Sequence, residues 1–306
     1  MITILVNKIA SLALIMMLGW LLVKSKVLKA EDAQSLSRLA LYLIMPCVII
    51  SAFQVDYTED VKNGLFLACF AAAVIHLVLM VFSALMRKLL GLDPVEQAAV
   101  IYSNAGNLII PLVSAMLGSE WVIYTSGYIV VQLILIWSHG KAVLCGEKGI
   151  QLKKIFSNVN MIAIVVGVVL YFTQIRFPKL IQDTMDTIGG MTGPASMLVI
   201  GMLLGRMDMK KLLSYKRVWL IAFLRLIVAP LLVLPLLKFT GITGLAADGA
   251  RVLLVTFLAV TTPSAASLTH LSQVYGQNAE YTCAINVITT ILCIATLPVM
   301  VMLYQM

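Results

Sequence analysis

The stretch AAVIYSNAGNLIIPLVSAML (98–117) decides the fold of this 306-residue chain. It is long enough to cross a bilayer, which takes about 20 apolar residues, yet its centre, SNAGN (103–107), is polar and Pro111 follows. Pro removes a backbone donor and clashes with the preceding turn, and unwound backbone at membrane depth persists only beside protein or water. A simple kink is the alternative, but we expect a broken helix with a ligand site at Asn104, Gly106, Asn107 and Pro111.

A second stretch, ARVLLVTFLAVTTPSAASLTHLSQVYG (250–276), has a similar polar break. Its hydroxyls could simply bond their own helix carbonyls, but its relation to the first stretch favours a site that includes Thr262, Pro263 and Ser264. The N-terminus of a half-helix offers free N–H groups and a partial positive charge, which suit a carboxylate. A small organic anion is therefore the expected ligand, although a cation would fit the C-terminal ends.

The composition places both stretches in a polytopic membrane protein. Hydrophobic residues make up 61% of the chain and charged residues 12%, against about 25% charged in an average soluble domain. This balance excludes a cytosolic enzyme and a nucleic-acid-binding domain. Ten apolar runs follow one another, and they lack the alternation of barrel strands. They lie near 2–23, 36–54, 65–86, 97–117, 121–140, 161–175, 184–205, 217–238, 249–272 and 281–304.

No motif points to catalysis. The five cysteines form no C-x-x-C pair and no Cys/His metal spacing, and most of them lie in apolar runs as small hydrophobes. The ATP-binding pattern G-x-x-x-x-G-K-[ST] does not occur. We therefore expect no enzyme activity, no metal and no cofactor.

The basic residues indicate how the chain is oriented. Fifteen Lys and Arg lie in the loops after runs 1, 3, 5 and 7, and five lie in the loops after runs 2, 4, 6 and 8. Cytoplasmic loops carry the excess of Lys and Arg. The odd-numbered loops are therefore predicted in the cytoplasm, with both termini outside.

Two halves of five spans each must have opposite orientations. The prolines support such a repeat, because Pro46 and Pro194, and likewise Pro111 and Pro263, lie about half the chain length apart. Interrupted spans at matching positions of two halves indicate a transporter site. The predicted organisation is a first repeat over 1–144 (spans 1–5), a short cytoplasmic linker over 145–160 and a second repeat over 161–306 (spans 6–10).

Three polar residues inside spans are candidates for a supporting role: His76, Gln132 and Arg225. Ionisable groups within a membrane are functional candidates by default. His76 could instead be a neutral packing residue, Arg225 a snorkelling residue, and Gln132 a link between helices. Without a mid-span Asp or Glu as partner, the Arg225 guanidinium needs broken-helix carbonyls, water or the substrate anion. Gly201-x-x-x-Gly205 predicts close helix contact, within the chain or at a dimer seam.

At these residues the chain resembles the auxin efflux carrier family, which comprises plant PIN proteins and bacterial relatives. The resemblance rests on SNAGNLIIPL (103–112), TTPSAASLTHLSQVYG (261–276) and TLPVM (296–300), with Asn104, Pro111 and Pro263 at the motif positions of the crossover. It implies ten helices in two inverted five-helix repeats, with helices 4 and 9 broken and crossing at prolines. It also implies a homodimer through a scaffold of helices 1, 2, 6 and 7, and carboxylates moved by an elevator-like motion.

The expected function is a secondary transporter that moves mono- or dicarboxylates across the cytoplasmic membrane by alternating access. Its partners would be the substrate anion, the lipid bilayer and a second copy of the chain, without nucleic acid. Two alternatives remain: a sodium-coupled carrier of the bile-acid type, and a membrane receptor without flux. The short central loop, 141–158, departs from the long regulatory loop of many plant members.

The orientation can be tested by labelling from outside. A cysteine tag at Met306 should react with a membrane-impermeant thiol reagent added to intact cells, because the C-terminus is predicted outside. A tag at Lys148, in the predicted cytoplasmic loop, should react only after the cells are opened. The reverse pattern would overturn the orientation.

Overall fold

The computed structural model describes residues 2–146, 157, 159–206 and 214–306, and in this part of the chain it is helical without any strand. The predicted linker 145–160 lies mostly outside this part. The first half contains α1 Ile2–Lys24, α2 Ala33–Leu39, α3 Met45–Ala52, α4 Glu59–Leu90, α5 Pro94–Ile101, α6 Ala105–Met116, α7 Val122–Leu135 and α8 Lys141–Cys145. The second half contains α9 Val159–Thr173, α10 Lys179–Gly189, α11 Thr192–Arg206, α12 Lys216–Phe223, α13 Ala229–Phe239, α14 Gly249–Thr261, α15 Ser267–Val274 and α16 Ala279–Gln305.

Among the described residues, six helical stretches are long and apolar enough to cross a membrane: Ala33–Ser51, Glu59–Leu90, Val122–Leu144, Lys179–Gly205, Lys216–Phe239 and Ala279–Gln305. Shorter apolar helices include Met161–Thr173 and Gly249–Thr261. At 1.5 Å per residue, α14 covers about 20 Å, less than the apolar thickness of about 30 Å. Each half of a broken span is therefore too short to be recognised as a membrane-spanning helix by its length. The count of ten spans stays a prediction.

Local sequence signals define the start of the first broken span. The long helix α4 begins after Thr58, whose hydroxyl accepts from Val61 N at 3.1 Å, and it ends at Gly91 with a φ of 64°. Glycine adopts this left-handed conformation without strain. Asp93 and Glu96 then form a capping box around the first turn of α5, with Pro94 at its start. Each signal satisfies backbone groups that a helix end leaves free.

Three π-helical turns join shorter helices into longer ones: Ala40–Ile44, Ile136–Gly140 and Leu224–Val228. Pro46 and Pro230 lie in the first turn of the helix that follows two of these turns. A proline leaves the carbonyl of residue i−4 without its partner, and a wider turn before it accommodates the loss. Pro194 likewise lies in the first turn of α11.

The helices pack as two layers. One layer contains α1, α2, α3, α9, α10 and α11, with α1 against α11 and α3 against α9 and α10. The other contains α4 to α8 and α12 to α16, with α4 against α7 and α14, and α12 against α16. The layers meet where α1 and α11 contact α6 and where α1 contacts α16. Both broken stretches lie in the second layer.

The glycines of α11 serve packing within the chain. A Cβ added at Gly201 would lie 1.9 Å from the carbonyl oxygen of Met16, and one at Gly205 would lie 2.6 Å from Cβ of Val23. Both contacts are with α1. The Gly201-x-x-x-Gly205 pattern therefore allows the backbones of α1 and α11 to approach each other, as small residues do in membrane helix pairs.

Gly201→Ala should destabilise the first layer, because the added methyl group meets backbone that cannot move aside. We expect a loss of about 1–3 kcal/mol, measured as a lower midpoint of thermal unfolding in detergent. Gly244→Ala is the control, because a Cβ there has nothing within 4 Å. Equal midpoints for the two variants would contradict this account of the helix contact.

Candidate functional site

The two breaks cross each other in the core. The segment between α5 and α6 runs antiparallel to the segment between α14 and α15, and Ser103 pairs with Ser264 in an isolated β-bridge. Two backbone hydrogen bonds hold the pair: Asn104 N donates to Pro263 O at 2.7 Å, and Ala265 N donates to Tyr102 O at 3.0 Å. Each break thus supplies partners for backbone groups that the other lacks.

Gln132 of α7 completes the first break. Its Oε1 accepts from both the backbone N and the Oγ of Ser103, each at 2.9 Å, and its Nε2 donates to Ser103 O at 2.8 Å. The side-chain amide thus binds both backbone groups of Ser103, as a neighbouring strand would. Gln132 therefore links α7 to the first break, and its supporting role in a substrate site stays a prediction.

Asn286 and Thr289 of α16 do the same for the second break, and sequence reasoning missed both. Nδ2 of Asn286 donates to Ser264 O at 2.6 Å, and Oγ1 of Thr289 accepts from Ser264 N at 3.2 Å. The available signal was a pair of polar residues three positions apart on one face of an otherwise apolar span.

Arg225 is fully buried and binds the C-terminal ends of both first half-helices. Its NH1 donates to Val100 O of α5 at 3.1 Å, and its NH2 donates to Val260 O of α14 at 2.8 Å. Nε and NH2 also donate to Thr262 O, at 3.3 and 3.2 Å. The Arg225 guanidinium was expected to need broken-helix carbonyls, water or the substrate anion. In the structure it binds the carbonyls of the broken helices.

The other two half-helices, α6 and α15, begin at the crossing. Neither Asn104 nor Ala266, their N-cap residues, makes a side-chain cap hydrogen bond. Helix N-termini carry a partial positive charge and C-termini a partial negative one. Arg225 thus binds the C-terminal ends, whereas the N-terminal ends of α6 and α15 begin at the crossing, after Asn104 and Ala266.

Three polar atoms near the crossing are buried without a hydrogen-bond partner in the structure: Asn104 Nδ2, Ser264 Oγ and His76 Nε2. The three residues are at most 4% exposed. Burying a polar group without a partner costs about 1–3 kcal/mol. Orphan groups clustered at a break between helices therefore indicate a place for a ligand or water.

The other residues predicted for the site are Thr262 and Pro263 at the second break and Gly106, Asn107 and Pro111 in α6. Thr262 Oγ1 donates to Ala259 O of its own helix at 2.8 Å, and Pro263 contributes its carbonyl to the β-bridge segment. Gly106, Asn107 and Pro111 lie in α6, and the side chains of Asn107 and Pro111 lie outside the part that the structure describes.

The break in span 4 lies at 102–104, and Pro111 lies inside α6. The expectation that both helices break at prolines therefore needs correction for span 4. Gln132 and the second break supply partners for the backbone of Ser103 and Asn104, so a proline is not needed there. In span 9 the proline, Pro263, does lie within the break.

A small cavity lies beside the crossing, where the two layers meet. It has a volume of about 20 Å³ and is lined by Ala13, Met16, Leu108, Met197, Thr290, Cys293 and Ile294. This space suffices for about one water molecule. The seam between α6, α16 and the first layer is therefore nearly closed.

A second polar cluster connects the starts of three helices of the second layer. Arg217 of α12 binds both carboxylate oxygens of Glu96, at 2.6 and 2.7 Å, and Tyr281 OH donates to Glu96 Oε1 at 2.7 Å. Glu96 is fully buried. Burial also raises the pKa of the nearby Asp93 carboxyl. This cluster, which holds α5 against α12 and α16, was not predicted from the sequence.

The chain matches the family model described as membrane transport protein twice, over residues 4–151 and again over residues 147–301. It belongs to this family, the auxin efflux carriers. The suspected family is thus confirmed over the whole chain, with two repeats of the family model, and this carrier is a multi-pass membrane transporter. No curated protein sequence matches it.

Arg225→Lys should destabilise the carrier, because one ammonium group cannot reach the carbonyls of both α5 and α14 as the planar guanidinium does. Lost hydrogen bonds to a charged group predict a cost of about 2–4 kcal/mol, seen as a lower midpoint of thermal unfolding. The matched control is Arg251→Lys, since Arg251 is exposed beside Asp248. An unchanged midpoint in Arg225→Lys would show that the four hydrogen bonds contribute little.

Proposed function

We propose that this carrier moves small organic anions, mono- or dicarboxylates, across the cytoplasmic membrane by alternating access, and that the substrate binds at the crossing of the two breaks. The observation that carries the proposal is the division of the crossing into two kinds of helix end. Arg225 occupies the C-terminal ends, whereas the N-terminal ends of α6 and α15 have no side-chain cap.

An anion fits the groups that remain. The orphan Nδ2 of Asn104 is a donor, and the orphan hydroxyl of Ser264 can donate as well. Together with the N-terminal N–H groups of the half-helices, they offer a carboxylate several hydrogen bonds in a site remote from water. Asn107 and Gly106 lie in the first turn of α6 and belong to the proposed site through their backbone.

The position of Arg225 disfavours the sodium-coupled alternative. In carriers with broken helices, the carbonyls at half-helix C-termini coordinate the coupling sodium ion. Here the carbonyls of Val100, Val260 and Thr262 accept from the guanidinium. A sodium ion would have to displace a fixed cation from the same oxygens.

The two layers support an elevator-like motion. The crossing, Gln132, Asn286 and Arg225 all belong to the second layer, so the substrate can travel with that layer as one body. The first layer contacts it where α1 and α11 meet α6 and α16, beside an apolar-lined cavity, and where α3 and α9 meet α7. We assign the first layer as the scaffold, and its outer surface as the interface of a homodimer. The protein would lie in the cell membrane with both termini outside.

Movement of substrate across a membrane distinguishes a carrier from a receptor, which would bind the substrate without moving it. Purified protein in liposomes should accumulate labelled malonate down its gradient, whereas protein-free liposomes should not. Malonate serves as the probe because it is a small dicarboxylate. If a panel of mono- and dicarboxylates binds but none crosses, the receptor reading replaces the proposal.

Asn104→Ala should weaken binding without unfolding the protein, because it removes an orphan donor and no existing side-chain hydrogen bond. A ligand at 100 times its dissociation constant stabilises the native state by about 2.7 kcal/mol. We expect malonate to raise the unfolding midpoint of the wild type and of the exposed control Asn63→Ala, and to raise that of Asn104→Ala less. An equal shift in all three proteins would remove Asn104 from the site.

Transport should not require sodium. Replacing external sodium by choline should leave the initial rate of malonate uptake unchanged, because Arg225 already binds the carbonyls that a sodium ion would need. The control is a potassium replacement at equal ionic strength. Uptake that stops in both sodium-free buffers would favour the bile-acid type of carrier.

A further inference from the structure

His76 is fully buried in α4, and the anion site as proposed makes no use of it. Its Nδ1 lies 2.7 Å from Ala72 O. A backbone carbonyl can only accept a hydrogen bond, so Nδ1 carries the hydrogen. Nε2 of the neutral ring is then a lone pair that makes no hydrogen bond among the described residues. The Gln132 amide lies near the ring, but Ser103 already holds its oxygen and its nitrogen.

One aromatic ring connects His76 to the first break. The centroid of the Tyr128 ring lies 4.9 Å from that of His76, and Tyr128 OH accepts from Ser103 Oγ at 3.4 Å. Tyr102, which precedes Ser103, has its ring centroid 6.3 Å from His76 on another side. His76 therefore lies in the layer of side chains that surrounds the crossing.

A fixed positive charge, but no negative one among the described residues, lies near His76. The buried cation Arg225 is bound at the same crossing, to the carbonyls of Val100 and Val260. Two other titratable rings face His76, those of Tyr128 and Tyr102, and His139 bonds to Tyr102 OH at 2.9 Å. The charged groups on the elements packed against α4 contact residues elsewhere: Glu96 binds Arg217, Lys238 lies over Tyr304, and Arg251 lies over Trp121. An imidazolium at position 76 thus has no anionic partner here until an anion arrives.

We propose that His76 Nε2 is the binding site of a proton that enters and leaves together with the substrate anion. The inference rests on the proposed function. A proton from solvent adds to the lone pair of Nε2 when the carboxylate binds, and the same proton returns to solvent on the other side when the carboxylate leaves. No covalent bond to the substrate forms.

Complementary charge is the physical reason for the coupling. A bare lone pair repels a carboxylate, whereas a protonated Nε2 attracts it and can donate a hydrogen bond toward it. Each ligand therefore raises the affinity for the other, because such a coupling free energy is reciprocal. The imidazole is the side chain whose charge changes most readily near neutral pH.

The test measures protons and substrate in the same liposomes. Wild-type protein is reconstituted with a pH-sensitive dye inside, at equal pH on both sides, and labelled malonate is added outside. His76→Gln keeps a polar atom near the position of Nε2 but cannot take up a proton. His139→Gln is the matched control, because His139 is half-buried at the π-helical end of α7 and its Nδ1 already bonds to Tyr102 OH at 2.9 Å, whereas Nε2 of His76 is unbonded.

We expect malonate entry to acidify the lumen with the wild type and with His139→Gln. The acidification per malonate should fall about tenfold in His76→Gln, because a glutamine amide does not titrate. If His76→Gln does not fold, His76→Asn keeps a donor at the position of Nδ1 toward Ala72 and gives the same comparison.

Two results would overturn the proposal while leaving the carrier function intact. One is malonate uptake by the wild type without acidification. The other is equal acidification per malonate in His76→Gln and wild type, which would mean that the cargo brings the proton and Nε2 only accepts a hydrogen bond. Absence of uptake for every carboxylate in the wild type would instead remove the carrier function, and the proton site with it.

Discussion

The hydrogen bonding of backbone at membrane depth is the constraint on which this structure depends. Interrupting two helices inside a bilayer leaves N–H and C=O groups that water cannot reach. The chain meets this need by crossing the two interruptions, so that Ser103 and Ser264 pair, and by adding side chains from three further spans: Gln132, Arg225 and Asn286. The second layer is assembled around that arrangement.

Much of the fold followed from hydrophobic runs and polar interruptions. Those signals are local, and they placed both breaks in the right spans because an Asn or Thr pair amid apolar residues is conspicuous. Span 4 breaks before its proline rather than at it, because that break depends on Gln132, a residue of the next span. Proline signals a local cost, whereas a break in the core depends on partners that only the tertiary structure supplies.

The candidate site was predictable to a similar degree. Arg225 stood out because a guanidinium inside an apolar span needs an explanation, and elimination left three environments for it. Asn286 and Thr289 did not stand out, because hydroxyls and amides in membrane helices commonly bond their own turn. The Glu96 carboxylate was equally hidden, since its partners Arg217 and Tyr281 come from distant segments.

The reach of Arg225 into both repeats has a consequence for their symmetry. Each helix C-terminus carries about half a negative charge, so the ends of α5 and α14 together balance one guanidinium. Two identical repeats would bring two arginines to the same centre and leave a surplus positive charge. His76 and Arg225 lie 149 positions apart, about half the chain length, so they hold equivalent places in the two repeats. The second repeat provides the arginine there and the first provides His76. Two separate, identical five-span subunits could not place an arginine in one half and a histidine in the other. This charge balance therefore requires two repeats that differ in sequence.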